Sequence, residues 1–423
     1  MDTIKQDVTT GFGKNLPARL SPAPLRVLYS FPLRMGVNRI CGIAWHQVAG
    51  VSAAGAEVTV FPAAISRPLP AGIQVLPTLA WGKFRIPNRL MGRMAYARLH
   101  DWIVARRIEK MAGQIDLIHT WPMGALETLK TARRLGIPTV LERPNAHTRF
   151  AYAVVQRECE RIGVALPPGH EHHYDQAILD REEAEYQLAD GLLCPSNFVL
   201  KTFLDRGFAP EKLQRHIYGF DEDRFFPDVS AQKSKRGLTL ISVGVCAVRK
   251  GLHFALEAWL KSPASQHGTF LIAGEFLPSY RQKLAPMLAH PSVKMLGHRN
   301  DVPELLRRSD VLMLPSLEEG SALVTSEARA SGCVLLVSEA SGAVCRHMEN
   351  ALVHRVGDVE SLAHHITLLH EDRPLLERLL VNGLRLAPNL TWTAAGIRLL
   401  EVYQKAIHQA QEPREMTLKR LFV

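Results

Sequence analysis

The sequence of 423 residues lacks the features that define several large classes of protein. It contains no run of about eighteen uninterrupted apolar residues, so it predicts no membrane-spanning helix. Residues 1–24 lack the apolar core of a signal peptide, and we expect them to form a flexible polar tail. The six cysteines lie far apart without a C-x-x-C pair, which is typical of reduced thiols in a cytoplasmic protein.

Two common phosphate-binding motifs are also missing. Neither a G-x-x-x-x-G-K-[ST] loop nor a G-x-G-x-x-G fingerprint occurs. Aromatic residues make up only 7% of the chain, which disfavours a surface of interleaved basic and aromatic residues for nucleic acid. The net charge of +10 nevertheless favours an anionic partner, whether nucleic acid, an anionic membrane or a phosphorylated substrate.

Residues 84–110 concentrate part of this positive charge among apolar side chains. The basic residues there, at mostly helical spacing, are Arg85, Arg89, Arg93, Arg98, Arg106, Arg107 and Lys110. Such a basic amphipathic segment can lie on a membrane surface. The alternative is a packed helix with a solvated basic face.

Short β-rich runs alternate with helical stretches in both halves of the chain, which is typical of parallel sheets made of β–α units. The predicted strands are 25–31, 57–61, 116–121, 138–142 and 191–196, then 238–244, 269–274, 293–297, 310–316 and 334–338. Helices are predicted between them, for example over 123–135 and 176–188. The fold class is therefore α/β, with two doubly wound parallel-sheet, Rossmann-like domains facing a cleft.

A polar stretch rich in turn formers separates the two series of strands. We assign residues 25–217 to an N-terminal domain, 218–237 to a linker and 238–390 to a C-terminal domain. Residues 391–423 are predicted to form a helix that packs back towards the N-terminal domain. Ligands of such sheets bind beyond the carboxyl ends of the strands, so the loops that follow strands are the candidate sites.

One candidate loop follows strand 238–244. The strand ends at Gly244 and a helix is predicted to begin near Gly251, with Arg249 and Lys250 at its start. Free backbone N–H groups at a helix start favour an anion, so the two side chains can clamp a diphosphate. The alternative is an ordinary surface lysine near a helix end.

A second candidate loop follows strand 310–316. It carries Glu319, then Gly320, which allows close backbone approach, and Ser321, which can cap the next helix. Glu327 is expected about two turns along that helix. An ionised carboxylate accepts two hydrogen bonds from a vicinal diol, so two such acids beside a phosphate site suit a sugar nucleotide. The alternative is a solvated turn whose acids serve the helix dipole.

These residues carry a resemblance to a known family. Residues 244–251, 293–332 and 352–372 resemble the donor half of retaining GT-B glycosyltransferases of family 4, also called glycosyl transferases group 1. Residues 116–148 and 182–227 resemble the first half of that family more loosely, so the likeness covers most of residues 25–400. Its most specific part is the pair of acids with seven residues between them, Glu319 and Glu327.

The resemblance implies roles for individual residues. Glu319 would hold the hexose hydroxyls, Glu327 the nucleotide ribose and Lys250 the diphosphate. The residues implied at the donor are Gly244, Arg249, Lys250, Arg299, Glu319, Gly320, Ser321, Ala322, Leu323 and Glu327. Those implied in catalysis are His147, Lys250 and Glu319.

The chain departs from the family at several of these positions. The family usually has arginine directly after the glycine of the phosphate loop, where this chain has Val245, and Arg249 can compensate. Ser321 and Ala322 replace the usual aromatic residue and glycine. The family histidine falls later than usual, and we assign it to His147, with a capped loop histidine as the alternative.

The acceptor is expected on the N-terminal side of the cleft. The candidate residues are Arg34, Gly36, Asn38, Arg143 and Asn145. They suit an anionic acceptor, and a lipid-linked or core-oligosaccharide acceptor at the membrane would fit them together with the arginine-rich segment.

Retention of configuration without an obvious enzyme nucleophile implies front-face substitution, in which the leaving phosphate helps to deprotonate the acceptor hydroxyl. No cofactor and no metal are expected, because basic groups and a helix start can stabilise the leaving diphosphate. His170, His172 and His173 in "GHEHHYD" are interpreted as a polar loop rather than a metal site, since their spacing fixes no ligand set.

The expected function is hexose transfer from a nucleotide sugar to a glycan or lipid-linked acceptor in cell-envelope polysaccharide or lipopolysaccharide synthesis. The location is expected to be cytoplasmic, with peripheral contact at the inner face of the membrane and no nucleic acid partner. Two alternatives stay open. One is a sugar-nucleotide epimerase or hydrolase on the same fold, and the other is a non-catalytic protein that binds anions or nucleic acid.

Overall fold

The computed structural model describes residues 23–36, 39–82, 84–228 and 237–421. The predicted tail at 1–24 lies almost entirely outside these residues, as do Asn38 and part of the predicted linker. The limits proposed for the domains therefore stay predictions.

Within the described residues, the N-terminal half builds a parallel sheet with helices on both faces. Its strands are β1 (Arg26–Met35), β2 (Glu57–Ile65), β3 (Gln74–Val75), β4 (Ala80–Trp81), β5 (Phe84–Arg85), β6 (Leu117–Thr120), β7 (Thr139–Glu142), β8 (Gly191–Cys194) and β9 (Leu213–Arg215). Its helices are α1 (Arg39–Ala53), α2 (Asn88–Met91), α3 (Arg93–Ile108), α4 (Leu126–Leu135), α5 (Thr148–Ile162), α6 (Gln176–Leu188) and α7 (Asn197–Leu204). The sheet order is β3-β2-β1-β6-β7-β8-β9, and β4 and β5 form a separate antiparallel pair.

The C-terminal half repeats this plan. Its strands are β10 (Thr239–Val243), β11 (Thr269–Ala273), β12 (Val293–Gly297), β13 (Val311–Leu314), β14 (Val334–Ser338) and β15 (Leu352–His354), in the order β12-β11-β10-β13-β14-β15. Its helices are α8 (Leu252–Lys261), α9 (Ala264–His267), α10 (Pro278–Leu288), α11 (Val302–Arg307), α12 (Leu323–Ala330), α13 (Val359–Glu371) and α14 (Arg373–Leu386). All neighbouring strands of both large sheets pair in parallel. The predicted α/β class with two parallel sheets is thus confirmed.

The central strands are buried on both faces, and most of their residues are apolar. β6, β7, β8, β13 and β14 are buried along their whole length. Burial on both faces is what helices packed on both sides of a parallel sheet impose. The short outer strands β3, β9 and β15 were not predicted, because two or three residues carry no measurable periodicity.

The halves are joined by more than the linker. In α5, Val155, Cys159 and Ile162 belong to the apolar core of the second sheet rather than of the first. Near the linker, the N–H group of Phe220 donates to the carbonyl of Leu390 at 3.0 Å. The two segments through which the chain passes between the halves therefore lie side by side.

The last helix, α15 (Trp392–Leu421), returns to the N-terminal half. Leu399 and Tyr403 lie in the apolar core beneath the first sheet. The Tyr403 hydroxyl is 2.6 Å from Nδ1 of the buried His119, which ties α15 to β6.

The arginine-rich segment is not one continuous amphipathic helix. Gly92, at φ 76°, separates α2 from α3. α3 buries Tyr96, Val104 and Ile108 in the domain. The domain thus covers these three apolar side chains of α3, and membrane contact by this segment stays a prediction. No described helix is long and apolar enough to span a membrane.

The crossing of α1 and α15 depends on two glycines. A Cβ atom added to Gly396 would lie 2.6 Å from the Cα atom of Gly50. We expect Gly396→Val to lower the free energy of unfolding by about 1–3 kcal/mol, as overpacking does. Urea denaturation measures this change, and Ile397→Ala is the control, because Ile397 is 50% exposed and should change stability by less than about 0.5 kcal/mol. Equal stability of the Gly396→Val protein and the wild type would contradict this packing.

Candidate functional site

Two loops at the carboxyl ends of the neighbouring strands β10 and β13 pack directly against each other. The N–H group of Leu317 donates to the carbonyl of Arg249 at 2.8 Å. Gly251 has φ 67°, and a Cβ atom there would lie 2.0 Å from the carbonyl oxygen of Pro315. Only glycine fits this left-handed and crowded position. The contact fixes the β10 loop over the β13 loop.

The packed loops bring three of the predicted residues together. Oε2 of Glu319 lies 2.7 Å from a guanidinium nitrogen of Arg249, and its other oxygen pairs with the ammonium group of Lys250. The Ser316 hydroxyl donates to the same carboxylate at 3.2 Å. Glu319 is buried, whereas the two cations are half-buried. Lys250 thus belongs to an ion cluster with Arg249 and Glu319 and is not an ordinary surface lysine.

The cluster sets the ionisation of its members. Burial alone would raise the pKa of Glu319, but Arg249 and Lys250 outweigh it and lower the pKa to about 2. Burial lowers the pKa of Lys250, partly offset by Glu319. Burial likewise opposes the charge of Arg249, yet Glu319 and Glu318 raise its pKa. Glu319 is therefore a carboxylate at any physiological pH.

A second acid, Glu318, lies beneath this cluster. Its side chain is fully buried, and Oε1 is 2.8 Å from Nε2 of His172 and 3.6 Å from Arg249. Glu171 also faces Arg249 at 3.9 Å. The loop between α5 and α6 thus reaches the cluster, a contact that the sequence did not reveal because this loop follows a helix and not a strand.

The histidines of this loop have hydrogen-bond partners within the protein. Among the described residues, no three His, Cys, Asp or Glu side chains are placed to hold a metal ion. His170 instead accepts a hydrogen bond at Nδ1 from the backbone N–H of His172. The loop interpretation of "GHEHHYD" agrees with this arrangement, although His172 has the unforeseen partner Glu318.

Glu327 lies in the helix that follows Glu319. α12 begins at Leu323, so Glu327 is in its second turn. Burial raises the pKa of Glu327 to about 7, with Arg224 opposing the rise and Asp221 adding to it. The predicted cap is wrong: the N-cap position belongs to Ala322, which offers no side-chain hydrogen bond, and not to Ser321. The N–H groups of Ala322 and Thr325 already donate to backbone carbonyls, which leaves those of Leu323 and Val324 as the ones at the start of α12 that an anion can bind.

Gly320 is one of the points where the two halves touch. A Cβ atom at Gly320 would lie 1.6 Å from the carbonyl oxygen of Pro144 and 3.1 Å from the backbone nitrogen of Asn145. Leu323 packs against the apolar core of the first half. The acid loop therefore faces the β7–α5 loop across the cleft, and of the predicted acceptor residues Asn145 lies at this contact.

Two predicted residues of the β7–α5 loop are buried inside the first half. His147 caps α5, accepting from the Arg149 N–H at 3.3 Å, and its ring lies 5.1 Å from that of Tyr186. Burial lowers the pKa of His147 to about 3. The capped alternative thus describes His147, and its assignment as the catalytic histidine has no support in this geometry.

Arg143 is also committed elsewhere. It is 2% exposed, pairs with Glu182 at 3.2 Å and lies over the ring of Tyr186, 4.4 Å from its centre. The guanidinium is thus held by partners within the first half, and its assignment to the acceptor finds no support in these contacts.

The remaining predicted residues are dispersed. Arg299 is exposed and paired with Asp301, with no described contact to the ion cluster. Arg34 is exposed at the end of β1, and a Cβ atom at Gly36 would lie 2.1 Å from the hydroxyl of Ser66. Gly244, at the end of β10, has φ 130°, and Val245 after it is 37% exposed. Val245, at the position of the family arginine, therefore supplies no positive charge, and Arg249 supplies one to the ion cluster.

Similarities to known proteins agree with this arrangement. Residues 237–372 match the family described as glycosyl transferases group 1, and residues 44–224 match glycosyltransferase family 4. A D-inositol 3-phosphate glycosyltransferase from Salinispora arenicola is 25% identical over 94% of this chain and 96% of its own length.

Two further proteins are similar. The N,N'-diacetylbacillosaminyl-diphospho-undecaprenol alpha-1,3-N-acetylgalactosaminyltransferase of Campylobacter jejuni is 31% identical, over 27% of this chain. The chain spans only 31% of that relative's length. The crystal structure of Anabaena Alr3699/HepE in complex with UDP and glucose has a TM-score of 0.61 and 17% identity, covering 90% of this chain and 99% of that one.

The two family matches together cover most of the chain, and both halves have the fold of these enzymes. The expectations of an epimerase, a hydrolase or a non-catalytic protein find no support among these similarities. The chain belongs to the glycosyltransferases of family 4, also called glycosyl transferases group 1, and has their GT-B fold.

Proposed function

We propose that this glycosyltransferase moves a hexose-type sugar, with retention of configuration, from a nucleotide sugar to a glycan or lipid-linked acceptor. We place it in cell-envelope polysaccharide or lipopolysaccharide synthesis, in the cytoplasm and with peripheral contact at the inner face of the membrane. The observation that carries the proposal is the carboxylate of Glu319 held between Arg249 and Lys250, opposite the other half of the molecule.

Donor binding is an exchange of partners in this cluster. The diphosphate is the one part of a nucleotide sugar whose charge can replace Glu319 at Arg249 and Lys250. Glu319 then accepts hydrogen bonds from hexose hydroxyls, which an ionised carboxylate does well. The free N–H groups at the start of α12 add to the anion site.

Front-face substitution suits the roles assigned to the cluster. Glu319 is assigned to the hexose hydroxyls, and Arg249 and Lys250 hold the leaving diphosphate, so an oxygen of the leaving group can itself take the proton of the acceptor. In the proposed step the bond between the anomeric carbon and the leaving diphosphate breaks. The acceptor oxygen bonds to that carbon on the same face, and its proton passes to a diphosphate oxygen. Arg249 and Lys250 stabilise the developing charge, which is why the proposal includes no metal.

The names of the relatives support an anionic acceptor. One is named for D-inositol 3-phosphate and the other for a diphospho-undecaprenol-linked sugar. Both compounds carry phosphate next to the sugar or cyclitol that is named.

The proposal is tested first with the donor. A thermal-shift series with UDP-, GDP- and ADP-sugars should show stabilisation by one nucleotide class, by about 2.7 kcal/mol at a hundred times its Kd. Free nucleotide should then appear only when an acceptor is added. Isomerised donor, or rapid release of nucleotide without acceptor, would instead favour the epimerase or hydrolase.

The pKa of Glu327 predicts a pH dependence of donor affinity. Only the ionised carboxylate accepts both hydrogen bonds of the ribose diol, and at pH below about 7 the carboxyl is protonated. Affinity for a UDP-sugar, or whichever sugar nucleotide binds, should therefore rise with pH up to about 7, by at most about tenfold per pH unit. Titration calorimetry across this range measures it. Glu327→Gln should bind weakly and without this slope, and a flat wild-type profile would refute the role of Glu327.

Lys250 should act mainly on the chemical step. Removing one preorganised charge at a leaving group typically lowers kcat by about 10²- to 10³-fold, so we expect this loss for Lys250→Ala with a smaller change in donor KM. Lys261→Ala is the matched control on the surface of α8, where Lys261 pairs with Glu257 and Glu360. A Lys250→Ala enzyme with wild-type kcat would remove Lys250 from the mechanism.

A further inference from the structure

A cavity of about 570 Å³ opens in the N-terminal half, beside the ion cluster but not part of it. It lies between the turn that joins α2 to α3 and the loop that joins α5 to α6. The side chains that matter for its chemistry are those of Met91, Arg93, Met94, Arg98, Tyr152 and Glu171. The predicted acceptor residues Arg34, Gly36, Arg143 and Asn145 do not line it.

The loop between α5 and α6 forms a wall shared by the cavity and the donor cluster. Glu171 lines the cavity, and its carboxylate is 3.9 Å from Arg249. The adjacent His172 is hydrogen-bonded to Glu318. A ligand in the cavity can therefore contact Glu171, whose carboxylate faces Arg249, and we assign Arg249 to the donor site.

The cavity offers positive charge that the protein itself does not neutralise. Among the described residues, Arg93 forms no ion pair and donates one hydrogen bond, to the sulfur of Met123 at 4.0 Å. Arg98 has no hydrogen bond or ion pair with these residues. Of the two acids in the wall, Asp175 caps α6 and Glu171 faces Arg249. Two arginines are thus left for an anionic ligand, and guanidinium groups suit phosphate in particular.

The same cavity has an apolar side. Met91, Met94 and Ile178 line it, and methionine adapts to flexible apolar ligands. Next to Met91 on α2, Leu90 is 80% exposed, and Phe84 on the β4–β5 pair is 82% exposed. A neutral glycan would leave both the arginines and these apolar side chains without partners.

We infer that this cavity binds the acceptor, and that the acceptor is an anionic amphiphile: a sugar joined through phosphate or diphosphate to an apolar chain. This inference rests on the proposed function and selects the lipid-linked acceptor over a free glycan. Arg93 and Arg98 bind the phosphate, Met91 and Met94 contact the start of the chain, and the sugar points along the α5–α6 loop towards Arg249.

The test uses a water-soluble sugar diphosphate with a short alkyl chain as probe, titrated calorimetrically into the full-length protein. The double variant Arg93→Gln, Arg98→Gln should bind it at least about tenfold more weakly, the loss expected for a charge-assisted hydrogen bond. Arg106→Gln is the matched control, because Arg106 lies on α3 and does not line the cavity. Met91→Ser, which adds no charge, should weaken binding of the probe but not of the same sugar diphosphate without the chain.

Five outcomes decide the matter. Weaker binding by the double variant alone supports the inference. Equal binding by wild type and double variant overturns it, as does equal binding of a phosphate-free alkyl glycoside. If a nucleotide sugar stabilises the protein and the probe does not bind, the cavity assignment fails while the proposed function stands. If no nucleotide sugar binds, the proposed function itself fails.

Discussion

The ion cluster of Arg249, Lys250 and Glu319 is the interaction on which the site depends. Removing such charges from water costs several kcal/mol for each ion, and only close opposite charge offsets that cost. The cluster is stable because Gly251 lets the β10 loop pack against the β13 loop, which places both cations over one carboxylate. A ligand can take these cations only if it brings negative charge of its own. The cluster therefore selects against neutral sugars and in favour of activated ones.

The first half of the molecule shapes the site by close backbone approach and by the side chains of its α5–α6 loop. Gly320 meets the carbonyl of Pro144, and any side chain at that position would push the halves apart. The α5–α6 loop covers the other side through His172 and Glu318. Since α5 also packs into the core of the second sheet, the two halves are positioned by apolar burial next to the site. The geometry of the cleft is thus a property of both halves together.

The sequence could predict those parts of the site that strands deliver. Lys250 and Glu319 follow strands rich in apolar residues, and the carboxyl ends of neighbouring parallel strands meet at one edge, so their convergence could be foreseen. The central strands and helix α6, whose observed limits match the predicted 176–188, were equally accessible from periodicity. Helix α4 begins at Leu126, three residues after the predicted start.

Other features depended on contacts between distant parts of the chain. Whether His147 faces the cleft or the core is decided by Tyr186 on α6 and Phe203 on α7, and no local pattern shows that these rings surround it. The same holds for Arg143, whose partner Glu182 lies on α6. The contact of His172 with Glu318 was not predicted for a different reason. The loop that carries His172 joins two helices, and the expectation that ligands bind beyond strand ends does not extend to such loops.

Part of the excess positive charge of the chain can be assigned to particular residues. In the donor cluster Arg249 and Lys250 already face Glu318 and Glu319, so that cluster contributes little to the net charge of +10. Arg93 and Arg98, by contrast, have no acidic partner among the described residues and line the cavity between the α2–α3 turn and the α5–α6 loop. The anionic partner that the composition indicates is therefore better matched to the acceptor side than to the donor. The donor site recognises charge by exchange of partners, whereas the acceptor cavity offers charge that the protein leaves unneutralised.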